Sequence, residues 1–215
     1  MLNQVSDNNS SPQPNNSWIG ELVRTMGLSI VIALGIRTFV AEARWIPSGS
    51  MEPTLHGTPN QWEADKIIVD KLSYKFTKPQ RGDIVVFSPT QELKNEQYQD
   101  AFIKRIVALP GEKVELRQGK VYVNNQLLKE NKNALPAQVT SVKVCTSGQQ
   151  PPILAKAQTI PADSYLVLGD NRPSSYDSRC WGVVPRDNII GRAVVRFWPL
   201  NNIGGIDKAP VYPSK

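Results

Sequence analysis

The chain has 215 residues, a formal net charge of +6 (Lys plus Arg 25, Asp plus Glu 19) and 40% hydrophobic residues. That length suits one domain of ordinary size with appendages and excludes a large multidomain assembly, while the hydrophobic content excludes wholesale disorder. Two cysteines, Cys145 and Cys180, exclude a disulfide-rich scaffold, and the single histidine, His56, leaves little material for a metal site or a His-based acid–base scheme.

Residues 1–16, rich in Asn, Ser, Gln and Pro, lack the apolar side chains of a core and read as a disordered arm, the start of a polar segment 1–24. From Thr25 to Ala43 the composition inverts. As a helix these residues extend about 28 Å, close to the roughly 30 Å of a bilayer's hydrocarbon, so 25–43 is the predicted transmembrane anchor. Arg37 and Glu42 lie in its last third, within snorkelling reach of the headgroups. A cleaved secretory signal ending at Ala41-Glu42-Ala43 and a buried core helix are the alternatives. The short arm favours a cytoplasmic N-terminus with the larger part exported. Three arginines and three carboxylates of residues 1–44 cancel, so the whole +6 belongs to residues 45–215, a charge that suits anionic headgroups or simply a solvated surface.

Beyond the anchor the texture is that of strands. Residues 66–69, 83–87, 101–109, 113–116, 120–123, 164–168 and 191–198 are short runs of β-branched and aromatic residues. Gln118-Gly119 and Asn124-Asn125 predict tight turns, hence antiparallel pairing. The expected fold is mainly β: an antiparallel catalytic domain (44–112 and 163–200), a small inserted cap (113–162) poor in strand pattern after residue 124, and a tail (201–215).

Three segments carry chemistry. In the first, Pro47-Ser48-Gly49-Ser50-Met51-Glu52-Pro53, glycine lets the Ser48 hydroxyl and the Ser50 amide face one point; a Ser/Gly/Pro linker has the same composition. In the second, strand alternation puts Phe102, Lys104 and Ile106 on one face and Ile103, Arg105 and Val107 on the other. An ammonium among apolar neighbours is desolvated and loses basicity, unless its stem merely lies along the strand and its head reaches water. The third, 169–182, is dense in capping and pairing side chains; Asp170 with Arg172 and Asp177 with Arg179 are spaced to brace a loop, and Ser175 or Ser178 is placed to orient an amine. Cys180 reads as a small buried side chain, with a bridge to Cys145 the less favoured alternative.

In this order, directly after an anchor, these segments resemble the type I signal peptidases, Ser/Lys proteases that remove secretory signal peptides. The resemblance covers residues 19–199 and rests also on Arg81-Gly82-Asp83-Ile84-Val85-Val86-Phe87, Leu109-Pro110-Gly111 and Gly169-Asp170-Asn171-Arg172. It implies Ser50 as nucleophile, Lys104 as general base, Ser48 with the Ser50 amide as oxyanion hole, Ser175 as the serine that orients the lysine, and Asp177 with Arg179 as a supporting ion pair. Ile46, Met51, Leu55, Phe102 and Ile103 are the candidates to line shallow pockets for the Ala-x-Ala side chains before the cut. Phe102 stands where the family often has tyrosine, and Cys180 where an aromatic is common.

The expected partners are preprotein signal peptides and the lipid of a plasma or thylakoid membrane, for a monomer with no nucleic acid, metal or cofactor. A self-cleaving Ser/Lys protease and a non-enzymatic anchored β domain are the rival readings.

Overall fold

A computed structural model describes residues 17–128, 140–145 and 153–206. The predicted disordered arm, the Pro/Gly-rich part of the excursion (Pro136, Gly148, Pro151, Pro152) and the end of the tail lie outside the described residues.

The chain divides into two units, residues 1–38 and 39–215. The first holds all but the last residue of helix α1 (Ser17–Phe39), whose 23 residues extend about 34 Å. Residues Trp18–Phe39 are long and apolar enough to cross a bilayer, and none of that stretch is buried by protein. Thr25 and Ser29 donate their hydroxyls to the carbonyls four residues back, Glu21 and Thr25, which hides polar groups from hydrocarbon. The helix is displaced toward the N-terminus from the predicted 25–43. Trp18, Ile19, Leu22 and Val23 lengthen its apolar start, and 41–43, with the small-x-small motif, form a strand instead.

In the second unit strand β1 (Ala41–Trp45) pairs β2 (Lys66–Asp70). After a short helix α2 (Ser73–Phe76) come β3 (Ile84–Phe87), helix α3 (Gln91–Asn95) and β4 (Phe102–Ala108). A hairpin of β5 (Lys113–Arg117) and β6 (Lys120–Val123) continues into β7 (Gln126–Leu127), with β8 (Gln158–Thr159) alongside β5. The chain then returns through β9 (Ser164–Leu168), helix α4 (Ser178–Trp181), β10 (Val184–Pro185), β11 (Ile189–Trp198) and β12 (Gly204–Gly205). The large sheet has the order β1-β2-β11-β3-β4-β9-β10, with β12 on β11; the small one is β7-β6-β5-β8, and the pairings are antiparallel. Both predicted tight turns are present, with positive φ at Gln118, Gly119, Asn124 and Asn125, as two-residue hairpin turns require. The tail from 201 is in part folded, since Gly204 and Gly205 pair β11.

Strand alternation sorts the core. Val85 and Phe87 of β3 join Ile106, Val167 and Trp181 in one cluster, while Ile84 and Val86 join Ile46, Met51, Leu55 and Ile67 in another. A third cluster links the sheets through Val107, Val114, Val121, Leu166 and Leu168. β4 therefore packs toward all three clusters, and this places its middle residues, Lys104 and Arg105, deep in the domain.

Candidate active site

The segment after β1 closes a single turn over Gly49–Met51, with Glu52 N donating to Gly49 O. Ser50 is the turn's second residue, so its N–H has no acceptor within the turn. The turn is held from outside by Asn171, whose backbone N donates to Ser50 O (3.1 Å) and whose Nδ2 donates to Gly49 O (3.0 Å). Two glycines make room for it. A Cβ on Gly57 would lie 1.9 Å from Ser48 O, and one on Gly169 would lie 2.5 Å from Ser50 O, so both positions exclude any side chain.

Lys104 comes from β4, paired to Val85 of β3, and reaches the turn from below. Its Nζ donates to Ser50 Oγ at 2.9 Å and to Ile103 O at 3.0 Å, and lies 5.8 Å from the centre of the Phe102 ring. The residue is 4% exposed. Burial pushes its pKa down to about 8, against the pull of the Asp177 and Asp170 carboxylates and with a smaller push from Arg179. Ser48 Oγ donates to Ser50 Oγ at 3.3 Å. Ser48, Ser50 and Lys104 thus meet at one hydroxyl.

The surrounding charges are internal. Asp177 and Arg179 form a fully buried pair at 2.8 Å; Asp177 also accepts from Gly169 N, and Arg179 donates to the carbonyls of Ser141, Arg172 and Ser175. The Asp170 carboxylate finds its guanidinium across the domain, in Arg105 (Nε to Oδ1 2.7 Å, Nη2 to Oδ2 2.5 Å), rather than in the local brace expected from spacing. Arg172 reaches Gly169 O and Thr140 Oγ1. Thr54 donates to Asp170, which ties the segment after the turn to the same pair.

At three places the arrangement differs from the favoured expectation. Ser175 is 2% exposed, and its hydroxyl has no hydrogen-bond partner among the described residues; the second bond of Lys104 goes to its own strand instead. Met51 and Leu55 are wholly buried in the core behind the turn and line neither cavity at the site, because the tight turn sends Met51 inward. Cys145 and Cys180 are bridged. Arg172 to Thr140 and Arg179 to Ser141 bring the segment 140–145 against α4, and that contact juxtaposes the two thiols.

Two cavities open here. One of about 460 Å³ covers Ser50 and Lys104, with Tyr98, Phe102 and Tyr176 in its wall. The other, about 370 Å³, runs from β1 past Ile46 and Ile67 to Phe102 and Ile103. Of the predicted pocket residues, Ile46, Phe102 and Ile103 line these spaces. His56 sits outside, exposed, with Nδ1 2.6 Å from Glu52 Oε1. Among the described residues no three His, Cys, Asp or Glu side chains are grouped to hold a metal ion. The sequence assigns no role to Asn171, Thr54, Tyr98 or Tyr176, although Asn171 stands inside the Gly169–Arg172 motif and so carries a visible signal.

Residues 19–198 match the family described as signal peptidase, peptidase S26. The chain is 51% identical over 199 residues to a signal peptidase I of Leptolyngbya laminosa, with 92% of this chain and 88% of that one aligned. It is 48% identical over 204 residues to a probable signal peptidase I-2 of Synechocystis sp. (95% and 84%). Against a thylakoidal processing peptidase 1 of Arabidopsis thaliana the identity is 34% over 209 residues (92% and 56%). The chain therefore belongs to the signal peptidase family, peptidase S26, as a serine endopeptidase that removes signal peptides from preproteins and is anchored in a membrane by its N-terminal helix.

Proposed function

We propose that Ser50 and Lys104 perform the cleavage as a Ser/Lys dyad. The observation that carries this is the 2.9 Å approach of Nζ to Oγ inside a desolvated site. With Lys104 neutral, the Ser50 hydroxyl donates to the amine lone pair, while an amine N–H keeps its bond to Ile103 O. As Oγ attacks the scissile carbonyl the proton passes to Nζ, then to the departing amine, and the neutral lysine next activates water against the acyl-enzyme. General-base assistance of this kind contributes about 10²–10⁴-fold. The Ser50 N–H and Ser48 Oγ supply the oxyanion donors; Ser48, now bonded to Ser50 Oγ, turns to the oxyanion as it forms. Asp177–Arg179 and Arg105–Asp170 act by positioning, since their bonds hold the loop that clamps Gly49 and Ser50.

The substrate lies extended, with side chains alternating. The small residue before the cut sits beside Ser50, and the third residue before the cut enters the cavity past Ile46, which accounts for an Ala-x-Ala preference. The N-terminus of α1 is cytoplasmic, and the β unit acts on the exported side.

The test is incubation of detergent-solubilised protein with a preprotein and sequencing of the new N-terminus. Ser50→Ala, Lys104→Ala and Lys104→Arg all lose cleavage, because arginine yields no proton at usable pH, and His56→Ala keeps most of it. Turnover by Lys104→Arg would refute the dyad.

A further inference from the structure

The cavity over Ser50 and Lys104 measures about 460 Å³, whereas the methyl of a small residue before the cut fills about 30 Å³, the space of one water. The methyl leaves most of that volume free for another part of the substrate. The second cavity shares Pro47 and residues 100–103 with the first but not Tyr98, Ser174 or Tyr176, so these three mark the end remote from the residues before the cut.

That end is aromatic and built. Tyr98 stands edge-on to Phe102 with centroids 5.4 Å apart and lies 6.1 Å from the Tyr176 ring. Its backbone is locked: Tyr98 N donates to Leu93 O and Gln97 N to Lys94 O, a helix-ending pair of bonds with Gln97 in the left-handed region (φ 67°). Leu93 is wholly buried and Thr90 caps the helix, so this anchor does not drift. Tyr176 OH donates to Glu96 Oε2 at 2.7 Å, which joins the two walls. Yet Tyr98 is 43% exposed, an aromatic face held in place and left open.

We propose that Tyr98 and Tyr176 form a seat for the first residue after the cut, the leaving half of the substrate, and that the seat favours flat or apolar side chains there. The proposal rests on the Ser50–Lys104 reading, which sets where the scissile bond lies. Aromatic faces take such side chains offset or edge-on. Because the leaving half departs when the acyl-enzyme forms, the preference is confined to acylation and is read in kcat/KM.

The test uses preproteins identical except for the residue after the cut, Ala or Phe, with full-length wild type, Tyr98→Ala and Tyr98→Phe in detergent. In wild type the Phe substrate has a kcat/KM about 2- to 12-fold above the Ala substrate. The ratio falls toward one in Tyr98→Ala and persists in Tyr98→Phe, which keeps the ring. A ratio unmoved by Tyr98→Ala, or an effect that follows the third residue before the cut, overturns the seat and leaves the dyad standing. Cleavage that survives Ser50→Ala removes the dyad, and the seat with it.

Discussion

Lys104 shows how one side chain is tuned by where its strand runs. Its neighbours on the β4 face, Phe102 and Ile106, pack into apolar clusters, so burial shields the amine from most of the water that would stabilise its charge. With a pKa of about 8 the amine is charged below that pH and unable to accept a proton. Activity is therefore expected to fall roughly tenfold per pH unit below pH 8 and to level above it, measured as kcat/KM on a preprotein. A limb near the ordinary lysine value, or none, would count against Lys104 as base. Gly169 matters for a different reason. A methyl there meets Ser175 Oγ at 2.1 Å and Ser50 O at 2.5 Å, both at the heart of the site. Gly169→Ala is expected to move the turn that carries Ser50 by a few tenths of an ångström or more, and a 1 Å misplacement costs on the order of 10²-fold. The measurement is single-turnover cleavage, with circular dichroism to show that the fold persists.

Among elements, β3 and β4 were the easiest to read, because β3 is four consecutive β-formers and Phe102, Ile103, Ile106 and Val107 make four of the seven residues of β4. β1 was not legible: its Ala-Glu-Ala start continues the apolar run of α1, and only pairing with Asp70, Val69 and Ile68 makes it a strand. Helix α4 owes its place to Asp177, which caps Arg179 N, and to Ser178, which accepts from Val167 N. The Cys145–Cys180 bridge fastens the segment 140–145 to this helix. A bridge with a sequence separation of 35 is worth about 3–4 kcal/mol through the unfolded chain. Cys145→Ala is expected to lower stability by that order, and the urea midpoint of the variant should match that of reduced wild type.

At the scale of the whole molecule, a hydrophobic helix and a β unit have different solvents. All of the net positive charge lies beyond residue 44, a distribution that serves equally for a solvated surface on the β unit and for attraction to anionic headgroups. The proposed cytoplasmic N-terminus predicts that protease added outside intact spheroplasts digests residues beyond Arg44 and leaves a fragment that contains α1. Protection of the β unit until the membrane is permeabilised would reverse the assignment.

The local features were determined by the sequence itself. Runs of β-branched residues, the Gln118-Gly119 and Asn124-Asn125 turns, the apolar helix and the segments around Ser50, Lys104 and Asp177 are all short-range patterns, set by backbone sterics and alternation. The tertiary structure decided the pairings. Spacing matched Asp170 to Arg172, yet its carboxylate meets Arg105, 65 residues away, because β4 and β9 lie side by side in register at Arg105 and Leu168. It also sent Met51 and Leu55 inward, left the Ser175 hydroxyl without a partner among the described residues, joined Cys145 to Cys180 and stood Tyr98 against Phe102. The physical reason is common to all of these. A side chain's neighbours across a sheet or over a turn depend on register and turn direction, which the packing of the whole domain fixes and no single stretch of chain contains.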